Sequence, residues 1–126
     1  MDTRVVLIVE DEAPLRELYT NLLEEHGISV ITAETGQAGV TLALEQHPDV
    51  IVMDVMLPDI SGHEAVAQIR RDNWGKTAKI IYLTNRSDAE SVTEAVAHKS
   101  DEYIIKAHTD NQEFLNKVRS SMVADL

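Results

Sequence analysis

Cysteine is absent from the 126-residue chain, which excludes disulfides, thiolate zinc sites and thiol catalysis. No apolar run approaches the roughly 20 residues that a helical membrane span needs. Basic residues are scarce: 11 Lys and Arg stand against 22 Asp and Glu, a formal charge of -11. Such a surface repels nucleic-acid phosphates and anionic membranes unless a basic patch is segregated, and no basic run occurs. Direct nucleic-acid binding and membrane association are therefore not expected. Internal repeats, low-complexity tracts and linkers are missing too. The length suits one domain over 1–126. Met1-Asp2-Thr3-Arg4 leads straight into an apolar run, so neither a signal nor a transit peptide is expected, and the cytoplasm is the default location.

What is present is an alternation of strand and helix, five times over. An apolar strand over 4–9 precedes a helix over 13–26. That helix has Pro14 in its first turn, Leu15, Leu18, Tyr19, Leu22 and Leu23 at helical spacing, and Gly27 at its close. Ile28 to Thr32 alternates and reads as a less buried edge strand. A helix over 36–46 stops before Pro48, and 49–54 is a third, fully apolar strand. Ser61-Gly62-His63-Glu64 has the form of a capping box opening a helix to about Asp72. A fourth strand covers 79–84. Ser87-Asp88-Ala89-Glu90 is a second such box, for a helix to about Ala97. A fifth strand covers 102–106. Thr109-Asp110-Asn111-Gln112 opens the last helix, with Leu115, Val118 and Met122 turned inward. Alternation of this kind implies right-handed crossovers and a parallel sheet covered on both faces. Strands one, three, four and five read as buried on both sides. The fold class predicted is α/β: a doubly wound, flavodoxin-like (βα)5 fold with a five-stranded parallel sheet in the order 2-1-3-4-5.

Four strand ends carry polar groups. Glu10-Asp11 follows the first strand, Asp54 ends the third, Thr84 ends the fourth and Lys106 ends the fifth. In a parallel sheet all of them converge on the carboxyl edge, where ligands of open α/β sheets bind. Taken singly, each has an ordinary structural explanation. Acids suit the amino end of a helix, threonine often ends a strand, and Asp54 would need a salt bridge, most plausibly to Lys106. Together they form a more specific set. Hard carboxylate oxygens suit Mg²⁺, and a bound cation would let three crowded carboxylates stay ionised. An ammonium and a hydroxyl can each hold a phosphoryl oxygen, and a carboxylate between them can act as nucleophile, giving an aspartyl phosphate.

On these residues the chain resembles, from end to end, the receiver domains of two-component response regulators. The resemblance rests on the acidic pair in Val9-Glu10-Asp11-Glu12, on Asp54 with Pro58 and Gly62 after it, and on Thr84, Tyr103 and Lys106. It implies that Asp54 accepts phosphate from a sensor histidine kinase or a phosphotransfer protein. It implies that Glu10, Asp11, Asp54 and the main-chain carbonyl of Met56 surround Mg²⁺. It implies that Lys106 and Thr84 bind the phosphoryl group, and that Thr84 and Tyr103 move together as the switch. It further implies repacking of the face formed by the fourth predicted helix, fifth strand and fifth predicted helix. That face carries Asp101, Glu102, Tyr103, Glu113, Lys117 and Arg119, and would form a homodimer or dock a partner. No separate substrate would be turned over.

The chain departs from the family pattern after Lys106, where Ala107 stands in place of the usual proline. Because a cis bond without proline costs roughly 2.5–4 kcal/mol, a trans Lys106–Ala107 bond and a mildly displaced lysine are expected. Lys99-Ser100 replaces the usual Gly-Ala, so that turn should avoid positive φ. Met56 and Arg86 occupy positions that govern water access in the family, and their bulk implies a long phosphorylated lifetime. Three other functional classes meet these residues with less success. A flavin- or nucleotide-binding protein lacks its glycine-rich cradle after the first strand. A small-substrate phosphatase lacks a second acid at position 56. A receiver-like adapter that works without phosphorylation is kept open by Ala107. His26, His47, His63, His98 and His108 share no ligand spacing and are expected at solvated surface positions. Trp74 is expected in a polar loop. The chain is compatible with a stand-alone receiver or with part of a longer regulator.

Overall fold

A computed structural model describes residues 4–84, 102–106 and 110–123. Five strands, β1 (Val5–Val9), β2 (Ser29–Ala33), β3 (Val50–Asp54), β4 (Ile80–Thr84) and β5 (Glu102–Ile105), form one sheet in the order β2-β1-β3-β4-β5. Every neighbouring pair is parallel. Four α-helices accompany them among the described residues: α1 (Ala13–Glu25), α2 (Gly36–Gln46), α3 (Gly62–Arg71) and α4 (Asn111–Val123), the fifth of the helices predicted above. A short 3-10 helix covers Trp74–Thr77. The predicted doubly wound fold and its strand order are what the chain adopts. The helix predicted over 88–97, together with Arg86, Lys99-Ser100, His98, His108, Thr109 and the Lys106–Ala107 bond, lies outside the described residues.

The strands β1, β3 and β4 are continuously apolar because both of their faces are covered. Leu7, Val9, Ile51, Met53 and Tyr82 pack with Val40 and Ala43 of α2 and with Val66 and Ile69 of α3. Val6, Ile8, Val50, Val52 and Ile81 pack on the other side with Tyr19 and Leu23 of α1 and with Phe114, Leu115 and Val118 of α4. The period-2 alternation of strand side chains thus divides one sequence run between two cores. Across the second core the rings of Tyr19 and Phe114 stack with centroids 4.2 Å apart. Phe114 was not singled out in the sequence, yet it is buried at the centre of this layer.

Several expectations need correction. Leu18 is 44% exposed: it lies about 100° around α1 from Tyr19, on the flank of the buried stripe. The strand β5 is not buried on both sides. As the end strand of the sheet it leaves Glu102 and Tyr103 exposed and buries Ile104. The last helix begins one residue later than its sequence box suggests. Its capping bond runs from the Glu113 amide to Asp110 Oδ1 at 2.8 Å, which picks out Asp110–Glu113 from the two overlapping pairs of capping spacing. In α3 the expected cap is present, the Glu64 amide donating to Ser61 Oγ at 3.1 Å. Trp74 is not in a polar loop but in the 3-10 helix, half-buried against the first core, and its ring stacks on His47 at 4.4 Å and 7°. His63 is half-buried, its ring 4.9 Å from that of the buried Tyr82. His63 is therefore a packing residue, whereas His26 and His47 are exposed as expected, His47 with its ring against Trp74.

Candidate functional site

The sheet ladder itself delivers the polar residues to one edge. Beyond the last paired residues, the amide of Glu10 donates to the Ala33 carbonyl at 3.0 Å. Likewise Val55 donates to Leu83 at 2.9 Å, and Lys106 to Thr84 at 2.9 Å. Asp54 pairs with Leu83 in register, and Thr84 with Ile105. Parallel pairing at this register sets the backbones of Glu10, Asp54, Thr84 and Lys106 along one edge of the sheet.

Burial makes the acids costly. Glu10 is 0% exposed, Asp54 2% and Thr84 1%, and an unpaired charge so placed would carry a large desolvation penalty. The compensation comes from Lys106, whose Nζ lies 2.9 Å from Glu10 Oε1 and 2.9 Å from Asp54 Oδ2. A third acid, Glu12, stands farther away at 3.7 Å. The salt bridge that an ordinary structural explanation of Asp54 would need is thus present, and it is shared with Glu10. Ala107 does not keep the ammonium from the carboxylates. Main-chain amides complete the shell: Met56 donates to Asp54 Oδ1 at 3.1 Å and Glu12 donates to Glu10 Oε2 at 3.2 Å.

The titration behaviour follows from this crowding. Burial, then the hydrogen bond with Asp54, pushes the Glu10 carboxyl up to about 8, with Lys106 opposing. Burial alone would lower Lys106, but its bonds to Glu10 and Asp54 outweigh that and leave the ammonium above its ordinary value. One cation cannot fully satisfy two buried acids. Glu10, Asp11 and Asp54 each offer an oxygen, and all three oxygens lie within 4.8 Å of one another. Three hard oxygen donors, one of them exposed to solvent at Asp11, fit a divalent cation such as Mg²⁺, which keeps several waters.

Two other expected residues present exposed side chains on the adjoining loop and on the edge strand. Met56 is 62% exposed on the loop after β3, and Tyr103 is 38% exposed on β5. Gly62 matters by what it lacks. A Cβ there would run into the carbonyl oxygen of Asp54, and the Gly62 amide donates to the Val55 carbonyl at 2.8 Å. The first turn of α3 is thereby clamped against the acceptor strand. Three nearby residues were not singled out in the sequence. Glu12 faces Lys106. Arg16 donates from Nη1 to the Glu10 carbonyl at 2.8 Å and pairs with Glu34 at 3.4 Å. Asp59 caps α2 from the acceptor loop. Only Arg16 left a usable signal, a lone cation one turn into a helix that opens on acids.

A doubly wound parallel sheet with an acidic, lysine-bridged carboxyl edge places the chain among open α/β domains that gather their polar groups at that edge. The comparison with known families narrows this further. Residues 6–119 match the response regulator receiver domain, and the chain belongs to that family. The phosphate regulon transcriptional regulatory protein PhoB of Escherichia coli is 31% identical over 119 residues, which cover 94% of this chain and 52% of PhoB. The chain spans about half the length of the curated relatives it matches. Among solved structures, the response regulator protein TrrA of Thermotoga maritima, in complex with Mg²⁺ and BeF, superposes with a TM-score of 0.81. It is 34% identical, over 94% of this chain and 99% of that one. A CheY-like receiver domain protein of Methanospirillum hungatei, 22% identical with a TM-score of 0.86 over 96% of this chain and 94% of its own, shares the fold. No helix among the described residues is long and apolar enough to cross a membrane.

Proposed function

We propose that residues 1–126 form one receiver domain that works as a phosphorylation-activated switch, with Asp54 as the phosphoacceptor. The observation that carries this reading is the buried Asp54 carboxylate, bonded to Lys106 at 2.9 Å inside a cluster of three acids. An oxygen of Asp54 attacks phosphorus in the phosphohistidine of a sensor histidine kinase or a phosphotransfer protein. The new P–O bond forms as the P–N bond breaks, and the departing imidazole nitrogen keeps the electron pair and takes up a proton. Glu10, Asp11, Asp54 and the Met56 carbonyl would hold Mg²⁺, which supplies charge neutralisation for the phosphoryl oxygens. Lys106 shifts its bond from the carboxylates to a phosphoryl oxygen, and the Thr84 hydroxyl takes another. The charge added, about -1.5 to -2, draws Thr84 toward it, and Tyr103 follows. No second substrate is released, so the domain acts as a signalling element and not as a turnover enzyme.

The output face in this reading includes β5 and α4. Tyr103 is exposed there, Lys117 meets Glu102 at 3.4 Å, and a cleft of about 430 Å³ opens between Lys79, Glu102, Glu113 and Lys117. A homodimer or a docked protein partner would form on this mixed-charge surface. The domain is placed in the cytoplasm, where histidine kinases present their phosphoryl groups.

The test is incubation with acetyl phosphate and Mg²⁺ read by intact mass, alongside beryllofluoride with Mg²⁺ read by NMR. A Mg²⁺-dependent mass increase and shift pattern are expected, both lost in Asp54→Asn. Absence of any Mg²⁺-dependent response in the parent chain refutes the switch and leaves the phosphorylation-independent adapter.

A further inference from the structure

Between Asp54 and α3 runs a loop, residues 55–61, that has to hold the Met56 main chain beside the acceptor. Its upstream end is fixed by the Met56 amide on Asp54 Oδ1, and its downstream end by the Gly62 amide on the Val55 carbonyl. The middle of the loop is fixed from outside. Asp59 accepts from the Gly36 amide through Oδ1 and from the Gln37 amide through Oδ2, both at 2.8 Å. Those are the first two amides of α2, a helix 22 to 23 residues away in sequence. The neighbouring Ile60 presses on Gly36 so closely that a Cβ there would sit 2.5 Å from Ile60 Cγ1. The helix does not need Asp59 as its cap in the ordinary sense, because Thr35 Oγ1 already accepts from Ala38 at 3.1 Å. The Asp59 carboxylate thus spans two amides that Thr35 leaves unpaired, and in doing so ties the acceptor loop to a second element.

We infer that Asp59 is a positioning residue for the phosphoacceptor: its bidentate grip on the amino end of α2 holds the 55–61 loop in the geometry in which Asp54 and the Met56 main chain receive metal and phosphoryl group. The effect on the reaction rests on the switch reading above; the anchoring of the loop does not. Slight desolvation raises the Asp59 carboxyl, but the amides of Gln37 and Gly36 more than reverse this and hold it below its ordinary value. The bonds are therefore made to the charged form.

Two observables and one control variant decide the matter. Asp59→Ala and Thr35→Ala each remove a cap from the same helix, but only Asp59→Ala releases the loop. In the Mg²⁺-free protein, amide exchange at Met56 and Gly62 should accelerate in Asp59→Ala and stay at the parental rate in Thr35→Ala. Mg²⁺ affinity, measured by calorimetry, should fall roughly tenfold in Asp59→Ala, the low end of what losing a partner that orients a ligand costs. Asp59→Asn, which keeps one acceptor oxygen, should lie between. Parental exchange rates and parental Mg²⁺ affinity in Asp59→Ala overturn the inference. Equal effects from Thr35→Ala also overturn it, by reducing Asp59 to a contributor to helix stability. A parent chain that binds no Mg²⁺ at all sinks the switch reading separately, and the exchange rates alone then decide the anchor.

Discussion

Lys106 holds two acids in the structure and is asked to hold a phosphoryl oxygen in the mechanism, and it cannot do both in full. With Glu10 and Asp54 each 2.9 Å from Nζ, one ammonium faces two buried acids, and the excess negative charge appears at Glu10. Its carboxyl titrates near 8 instead of 4.5, chiefly because it is buried. The folded chain therefore keeps a proton that the unfolded chain has released. Stability from this group is full below about 4.5 and is lost as pH rises through about 8. Glu10→Gln removes the titration, so in EDTA the variant should be more stable than the parent near pH 9 by about 1–2 kcal/mol, a margin that shrinks toward pH 5. The loss of one Lys106 partner limits the gain. The same variant should bind Mg²⁺ at least about tenfold more weakly, since ligating carboxylates cannot be replaced by amides without loss. A pH-independent difference between the two melting curves would falsify the assignment. At this scale the acids, the threonine and the lysine were legible because each interrupts an apolar run. Glu12 and Asp59 were not, because a polar residue in a polar loop carries no contrast until its partner across the fold is known.

Elements reach the site through their ends, and the ends are where small changes tell. The first turn of α3 lies against the Asp54 carbonyl only because Gly62 has no side chain. Gly62→Ala must push the turn away from backbone that cannot yield, costing about 1–3 kcal/mol as other overpacked positions do. Mg²⁺ affinity should fall with it, because Asp54 and Met56 sit on the same loop. Urea denaturation and metal titration on one preparation would show both losses, and an unchanged urea midpoint would contradict the close approach. A cap remote from the site gives the contrasting case. Asp110→Ala removes the acceptor for the Glu113 amide and should cost about 1 kcal/mol, as N-cap deletions do, with Asp110→Asn costing less. Metal affinity should be untouched by either. Helix starts were legible wherever a hydroxyl or carboxylate precedes its partner by three residues, and in the last helix two overlapping pairs fit that rule. Thr109 with Gln112 and Asp110 with Glu113 differ by one position, and sequence spacing has no means to choose between them. Exposure of β5 was misread for a related reason: an apolar run shows what a strand can bury, not whether a neighbour exists to bury it.

The whole molecule carries a formal charge of -11, so two kinds of Mg²⁺ effect have to be told apart. Screening of diffuse surface repulsion depends on ionic strength and treats all salts of equal strength nearly alike. Binding at Glu10, Asp11 and Asp54, whose oxygens lie within 4.8 Å, stabilises by mass action and saturates. At about 100 times its dissociation constant a ligand of the folded state contributes about 2.7 kcal/mol. For a domain of this size that corresponds to a rise on the order of 10 °C in Tm. Sodium chloride matched in ionic strength should give only a small part of that rise. Asp54→Asn should lose most of the Mg²⁺-specific component while keeping the response to sodium chloride, because one charge in so acidic a surface barely alters the diffuse field. Calorimetric scans at several Mg²⁺ concentrations, each paired with its sodium chloride control, separate the terms. Should the two salts stabilise the parent equally, the carboxyl edge would bind no metal of its own, and the burial of Glu10 and Asp54 would rest on Lys106 and the Met56 and Glu12 amides.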